Sequence, residues 1–334
     1  MQDSPIQSVV IALNRDLDTE QIIGKVLNSR VEFVSFSDRK DFNRVTCAWV
    51  DMTIVLNDEF LELFPNLRFI ATPTTGLTHL DLESIRRRRI EILSLKGEKE
   101  FLESITATSE LAWTLALAVW RKIIPASTEY EDSISIRKKF GSFQLKGLTI
   151  GLIGFGRLGK HIHKFAKAFD MKTILFDPFI DLDSLDIVGN LQVTESISEL
   201  CSRSDIIFLV ASHEEGHVSD YPIVKKEHLD RVKKSAILIN VSRGSLVDEA
   251  ELVKKIRNGS ISGIGIDVLA REESATQSMD LDEIQKLQRE GFNVIVTPHI
   301  GGMCWDALSA TQRFVAQKLM KALEEHKGSS AFSD

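Results

Sequence analysis

Apolar residues along this chain gather in short runs, separated by longer stretches in which they recur at helical spacing. In the first hundred residues the runs are SVVIALN (8–14), VEFVSF (31–36), VTCAWV (45–50), LRFIAT (67–72) and IEILSL (90–95). Runs of this length, rich in Val and Ile and bounded by helix-compatible spacers, predict strands of a parallel sheet covered on both faces. A second series opens at LTIGLIGFGRLG (148–159) and continues through KTILFD (172–177), DIIFLVA (205–211), AILINVS (236–242), SGIGIDVL (262–269) and NVIVTPH (293–299). Helical patterns fill its gaps, notably LGKHIHKFAKAF (158–169) and DEAELVKKIRNG (248–259), the latter ending at Gly259 where a helix C-cap belongs. The fold class predicted is α/β, with two doubly wound parallel-sheet domains.

Between the two series, SITATSELAWTLALAVWRKI (104–123) places apolar residues almost all the way round a helical period and opens with Ser/Thr capping candidates ahead of Glu110. A helix apolar on every face has to be buried, between domains or against a second subunit. Trp113 and Trp120, seven apart on it, read as core or subunit-interface residues. A last helix, from about Trp305 to His326, follows the final strand and can return to the first series. The predicted division is a discontinuous domain, 1–103 plus 305–334, with a second domain, 104–304, inserted in it.

Composition narrows the partners. Lys and Arg number 41 against 48 Asp and Glu, a formal charge of −7, which offers no overall attraction to phosphate backbones or anionic lipid. Neither nucleic acid nor membrane is expected as a partner. The most apolar later run, Leu111 to Trp120, is about half a membrane span, and the first residues lack a basic segment followed by a long apolar one. Cys47, Cys201 and Cys304 are too few and scattered for a disulfide framework or a CxxC metal site, so they read as buried free thiols in a reducing compartment. A cytoplasmic protein without targeting segment or metal is expected. Arg86 to Arg89 reads as a solvated helix end, and His161 and His163 as solvent-facing or boundary residues.

The chemistry begins at Gly154-Phe155-Gly156-Arg157-Leu158-Gly159, a GxGxxG that directly follows a predicted strand and opens a helix. Its first glycine permits the turn, the second lets backbone approach a pyrophosphate, the third allows close helix–strand packing, and the helix N-terminus attracts the anion. Asp177 ends the next strand 18 residues after Gly159 and is placed to accept hydrogen bonds from a ribose and to repel a 2′-phosphate. With no arginine in the Pro178-Phe179-Ile180-Asp181 that follows, the cofactor predicted is NAD rather than NADP. Three further strand ends carry polar groups: Arg243 in INVSRGSLVDE, Asp267 in GIGIDV with Glu272 beyond it, and His299 in TPHIGG. Arg243, Glu272 and His299 lie 29 and then 27 residues apart and converge only where parallel topology brings strand ends together. A guanidinium can hold a carboxylate bidentately, and a carboxylate beside an imidazole orients the ring and favours its charged form.

With these motifs in order, together with TTGLTHLD (74–81) and TSELAWTLALA (108–118), the sequence resembles the D-isomer-specific 2-hydroxyacid dehydrogenases along nearly its whole length. The resemblance implies a flavodoxin-like substrate domain and a Rossmann NAD-binding domain, commonly a homodimer built through the latter. It implies hydride transfer between NAD(H) and a D-2-hydroxy acid/2-keto acid pair, with His299 as acid/base, Glu272 as its partner and Arg243 as anchor of the substrate carboxylate. Asp267 matches the residue that holds the nicotinamide carboxamide, and Arg157 and Leu158 match the pyrophosphate loop. The backbone of Val241, Ser242 and Arg243 would lie along the nicotinamide ribose, while the backbone of Thr75 and Gly76 would complete the carboxylate site. Four departures stand out. Glu273 follows Glu272 where the family usually has proline. Thr74, Thr78 and His79 replace a glycine and an Asp-Asn pair. Thr72-Pro73 stands where members acting on phosphorylated substrates tend to have arginine. VASHEEGHVSDYP (210–222), with Ser212 and His213, lacks the usual Pro-Leu-Thr. A rival reading is an NAD(H)-sensing, dehydrogenase-like scaffold or corepressor. The sequence does not name the acid, because one methylene changes discrimination by only about 1–3 kcal/mol.

Overall fold

The apolar runs of the first hundred residues form five parallel strands, β1 (Ser8–Ala12), β2 (Val31–Val34), β3 (Cys47–Trp49), β4 (Phe69–Ala71) and β5 (Glu91–Leu93). They are seen in a computed structural model that describes residues 8–13, 17–52, 54–129, 131, 133–180, 191–211, 222–270 and 280–330. The strands pair in the order β2-β1-β3-β4-β5, the flavodoxin-like winding. Strand alternation sends Ile11, Ala48 and Ile70 into one buried layer, with Leu56, Phe64 and Leu80, and Val10, Trp49 and Phe69 into the other. The second layer is roofed by the helices Leu17–Leu27 and Trp305–Ser330, through Ile23, Leu27, Val315 and Leu319. Lys318 fastens the last helix by donating to the Ser94 carbonyl at 2.8 Å and to Glu98 at 2.6 Å. One unit of the chain is thus Met1–Ser104 with Met303–Asp334, and the other is Ile105–Gly302.

The second unit carries seven parallel strands, β6 (Thr149–Ile153), β7 (Lys172–Phe176), β8 (Leu191–Val193), β9 (Ile206–Leu209), β10 (Ile237–Asn240), β11 (Gly263–Ile266) and β12 (Val294–Val296). Their order, β12-β11-β10-β9-β6-β7-β8, is the doubly wound dinucleotide-binding arrangement with one strand added. Sequence reading finds six of the seven. It misses β8, three residues on the sheet edge of which only Leu191 is buried, too little to leave an apolar run.

The all-round apolar helix, Ala107–Trp120, is buried within this unit. It lies on β10 and β11, and the glycines of β11 let it approach: a Cβ on Gly265 would sit 3.1 Å from Leu115 Cβ. Trp113 stacks on Phe208 with centroids 5.8 Å apart, which makes it a core residue. No side chain caps the start of this helix, contrary to the reading of its Ser/Thr residues, since Thr106 donates its hydroxyl to Glu110. His161 also departs from expectation. It is buried, with Nδ1 3.2 Å from the Ser109 hydroxyl, because the Arg157–Ala168 helix turns that face onto Ala107–Trp120. His163 lies 2.9 Å from the Thr173 hydroxyl. Arg86 to Arg89 do end a helix, Leu82–Arg87, with Arg86, Arg87 and Arg89 exposed as read, and Arg87 and Arg88 pair there with Asp58 at 2.7 and 3.0 Å. Among the described residues no helix is long and apolar enough to cross a membrane.

Candidate active site

The glycine motif sits at the carboxyl end of β6. Gly154 has φ +101°, and a Cβ there would come within 2.5 Å of Ala211 Cα, so both the turn and the packing against the end of β9 demand glycine. Gly156 caps the twelve-residue helix Arg157–Ala168, whose first amides have no side-chain cap and are orphaned by helix geometry. Gly159 lies against the Gly154 carbonyl, as its packing role requires. Asp177, just past β7, accepts from the Phe155 amide at 2.8 Å and the Phe179 amide at 3.0 Å, which fixes it beside the glycine loop. A tight backbone cradle, orphaned amides at a helix start and an adjacent carboxylate together suit a dinucleotide. The Arg157 side chain is committed to the Ile105 carbonyl, and its burial lowers the guanidinium pKa.

Three adjacent strand ends carry the rest. β11 lies between β10 and β12, and their ladder continues past the strands: the Asp267 amide donates to Asn240 O at 2.9 Å and the His299 amide to Asp267 O at 3.0 Å. Asn240 is fully buried and braces the turn that follows it, donating from Nδ2 to Arg243 O at 2.9 Å and accepting from the Ser242 amide at 3.1 Å. Ser242 donates its hydroxyl to Ala211 O, and Arg243 donates to Ser242 O at 2.7 Å. A Cβ on Gly244 would overlap the Leu269–Ala270 backbone, so this turn lies directly against the chain that leads toward Glu272.

Asp267 is 1% exposed and gathers the His299 turn around its carboxylate. Thr297 donates its hydroxyl to Oδ1 at 2.6 Å, the Ile300 amide donates to Oδ1 at 2.8 Å and the Gly301 amide to Oδ2 at 2.8 Å. His299 between them has φ +55°, a left-handed conformation rare for a side-chain-bearing residue and held here by its neighbours. Burial pushes the Asp267 carboxyl above its ordinary pKa, against the opposing pull of these hydrogen bonds and of His299.

In the other unit, the TTGLTHLD loop leaves the end of β4. Among the described residues the amides of Thr75, Gly76 and Leu77 have no acceptor, and Thr75 is exposed. The loop is held from beneath by Thr72, Thr74 and His79.

A sequence profile of the "D-isomer specific 2-hydroxyacid dehydrogenase, NAD binding domain" matches residues 113–301, more than half of the chain. The chain belongs to that family. This dehydrogenase relative is 31% identical over 270 residues to the D-3-phosphoglycerate dehydrogenase of Methanocaldococcus jannaschii, an alignment covering 79% of this chain but only 47% of that protein, so the chain spans about half that relative's length. It is also 31% identical over 276 residues to the glyoxylate reductase of Thermococcus litoralis, covering 80% of this chain and 78% of that one. Its fold is that of the D-lactate dehydrogenase of Aquifex aeolicus, solved with NAD and lactic acid, at TM-score 0.75 and 22% identity over 96% of each chain. The dehydrogenase domain matched by the profile is an NAD-binding one, and the glycine turn, orphaned amides and Asp177 are the residues that fit it.

Of the residues singled out from sequence, Gly154, Gly156, Arg157, Leu158, Gly159 and Asp177 gather at the ends of β6 and β7. Val241, Ser242, Arg243, Asp267 and His299 gather at the ends of β10, β11 and β12, while Thr75 and Gly76 lie in the other unit. Glu272, Glu273, Ser212 and His213 lie outside the described residues. Sequence reading missed Asn240 and Thr297, whose side chains hold the turns bearing Arg243 and His299. Their only local signal is a polar residue at or just past the end of an apolar strand.

Proposed function

We propose that the chain is an NAD-dependent dehydrogenase that interconverts a small 2-keto acid and its D-2-hydroxy acid. The observation that carries the reading is the ladder from Asn240 through Asp267 to His299, which puts a guanidinium-bearing turn and an imidazole-bearing turn on the ends of the two strands that flank β11, beyond a dinucleotide cradle. When bound, NAD supplies the acceptor or donor for hydride. Arg243 binds the substrate carboxylate bidentately and polarises the neighbouring carbonyl, and the Thr75 and Gly76 amides complete the carboxylate site. His299 gives a proton from an imidazole N–H to the substrate oxygen as the carbonyl becomes an alcohol and takes it back in the oxidative direction, with Glu272 favouring the charged ring. Gly154, Gly156, Gly159 and the amides of Arg157 and Leu158 hold the pyrophosphate, Asp177 the adenosine ribose, and the Val241–Ser242 backbone the nicotinamide ribose. A carboxylate has about four lone-pair sites, and Asp267 uses three within the protein, leaving one for the carboxamide of the nicotinamide.

A small, unphosphorylated acid is favoured because Thr72, where an arginine would serve a phosphate, is fully buried and engaged with Thr74 and His79. The test is NADH oxidation with glyoxylate, hydroxypyruvate, pyruvate and phosphohydroxypyruvate. Turnover of at least one of the first three, faster than of the phosphorylated acid, is expected, and no turnover with any overturns the reading. A homodimer through the cofactor unit is part of the proposal, supported by Ile123, Ile134 and Phe143, which are 50, 67 and 73% exposed. Sedimentation of a monomer would remove that part. The free cysteines, with Cys47 and Cys201 buried, fit the reducing environment of the cytoplasm.

A further inference from the structure

We propose that His79 is a positioning residue for the carboxylate-binding loop: its Nε2–H begins a one-directional chain of hydrogen bonds, through the Thr72 and Thr74 hydroxyls, that ends on the Gly76 carbonyl. The inference rests on the proposed role of the Thr75 and Gly76 amides.

Each hydroxyl has one proton to give, and that count fixes the direction. Thr74 Oγ1 donates to Gly76 O at 2.8 Å, so it can only accept in its 3.0 Å contact with Thr72 Oγ1. Thr72 therefore spends its proton on Thr74 and must accept in its 3.3 Å contact with His79 Nε2. The imidazole thus carries its proton on Nε2. Burial holds the ring neutral, pushing its pKa down to about 4 against the opposing charge of Asp51, so Nδ1 is bare.

Three members of this relay are tied to neighbouring backbone. Thr72 immediately follows β4 and donates its amide to Leu93 O at 2.9 Å, and the Thr74 carbonyl receives the Leu95 amide at 3.0 Å. The His79 carbonyl receives the Leu56 amide at 2.8 Å, beside the Leu56–Leu80 bridge. His79 is 5% exposed and Thr72 fully buried, so water does not substitute for either partner. Tying the Gly76 carbonyl inward turns the Leu77 amide the other way, because the two lie on opposite sides of a trans peptide. Among the described residues Thr75, Gly76 and Leu77 then have three consecutive amides without acceptors, donors that an anion could take up.

Two pairs of variants in the full chain test this: Thr72→Val against Thr72→Ser, and His79→Leu against His79→Gln. Thr72→Val and His79→Leu are expected to raise KM for the best keto acid about tenfold, the worth of one hydrogen bond at a charged group, with KM for NADH moving less than about twofold. Thr72→Ser and His79→Gln keep a relaying group and are expected to recover most of the loss. A purely structural role would move both KM values together, or neither, and that result overturns the proposal. The ring nitrogens of His79, read by long-range 1H–15N NMR at neutral pH, are expected to show protonated Nε2 and bare Nδ1. A protonated Nδ1 with bare Nε2 overturns the proposal even where His79→Leu fails to fold. If the wild-type chain turns over no keto acid, the proposed function fails, while the tautomer measurement still decides whether the relay exists.

Discussion

The Thr297 hydroxyl donates to Asp267 Oδ1 at 2.6 Å, and this bond closes the turn that sets His299 in place. The same carboxylate takes the Ile300 and Gly301 amides, so four of the five positions that follow Val296 on β12 are bound to one buried residue at β11's end, counting the His299 amide on the Asp267 carbonyl. Asp267→Asn replaces an acceptor with a donor facing donors. The expected cost is about 1–3 kcal/mol of stability, from buried groups left without partners. It should also lower kcat more than stability alone accounts for, since a left-handed His299 costs about 1–3 kcal/mol and is free to relax once the clamp is loosened. Chemical denaturation together with kcat for the folded variant checks both, and an unchanged kcat would separate His299 from this clamp.

Arg243 is presented by a turn with its own support, from Asn240 on one side and the Leu269–Ala270 backbone on the other. Truncating it should therefore leave the scaffold in place. Arg243→Ala is expected to cut kcat/KM for the keto acid by two or more orders of magnitude, since losing one partner of a desolvated charge pair costs about 2–5 kcal/mol. Arg243→Lys should recover little, because an ammonium cannot reproduce the planar fork. NADH binding, followed by its fluorescence, is expected to stay within about threefold of wild type, as the two sites are energetically separable at that level. Survival of activity in Arg243→Ala would remove it from the site.

The contrast between what could and could not be read from the chain has a physical pattern. Gly154, Gly159 and Asp177 were legible because strand, turn and helix fix their spacing locally. Arg243 and His299 were legible because parallel topology sends strand ends to one edge. Asn240, Thr297 and His79 were not, since their work is done by side-chain bonds whose partners are set by folding and carry no periodic signal. His161 was misread for the same reason, its partner Ser109 lying 52 residues away. β8 escaped because two of its three residues face water.

Asp177 is held beside the glycine loop by the Phe155 and Phe179 amides, one on each carboxylate oxygen. Its charge should exclude a 2′-phosphate, and its acceptors should favour a free ribose. Asp177→Ala is expected to reduce kcat/KM with NADH and raise it with NADPH, shifting the ratio by about tenfold or more, as one charge–charge contact at a surface site allows. Steady-state kinetics with both cofactors checks this. An unaltered ratio would place discrimination elsewhere.

Acid should unfold this protein partly through Asp230, which bridges Lys226 at 2.7 Å and Lys255. Hydrogen bonds from the two ammonium groups, Lys226 first, bring its carboxyl pKa down to about 2. A carboxylate depressed in the folded state lends stability that is present above its unfolded pKa of about 3.9 and lost as pH falls through the folded one. The contribution is therefore complete at neutral pH and disappears from about pH 4 down to about 2. Asp230 is open to solvent, so salt should weaken the effect. Urea denaturation at stepped pH is expected to show a shallower acid limb for Asp230→Asn than for wild type, with the two curves drawing together at high ionic strength. Parallel limbs at low salt would show that the bridge to Lys226 and Lys255 contributes nothing to acid stability.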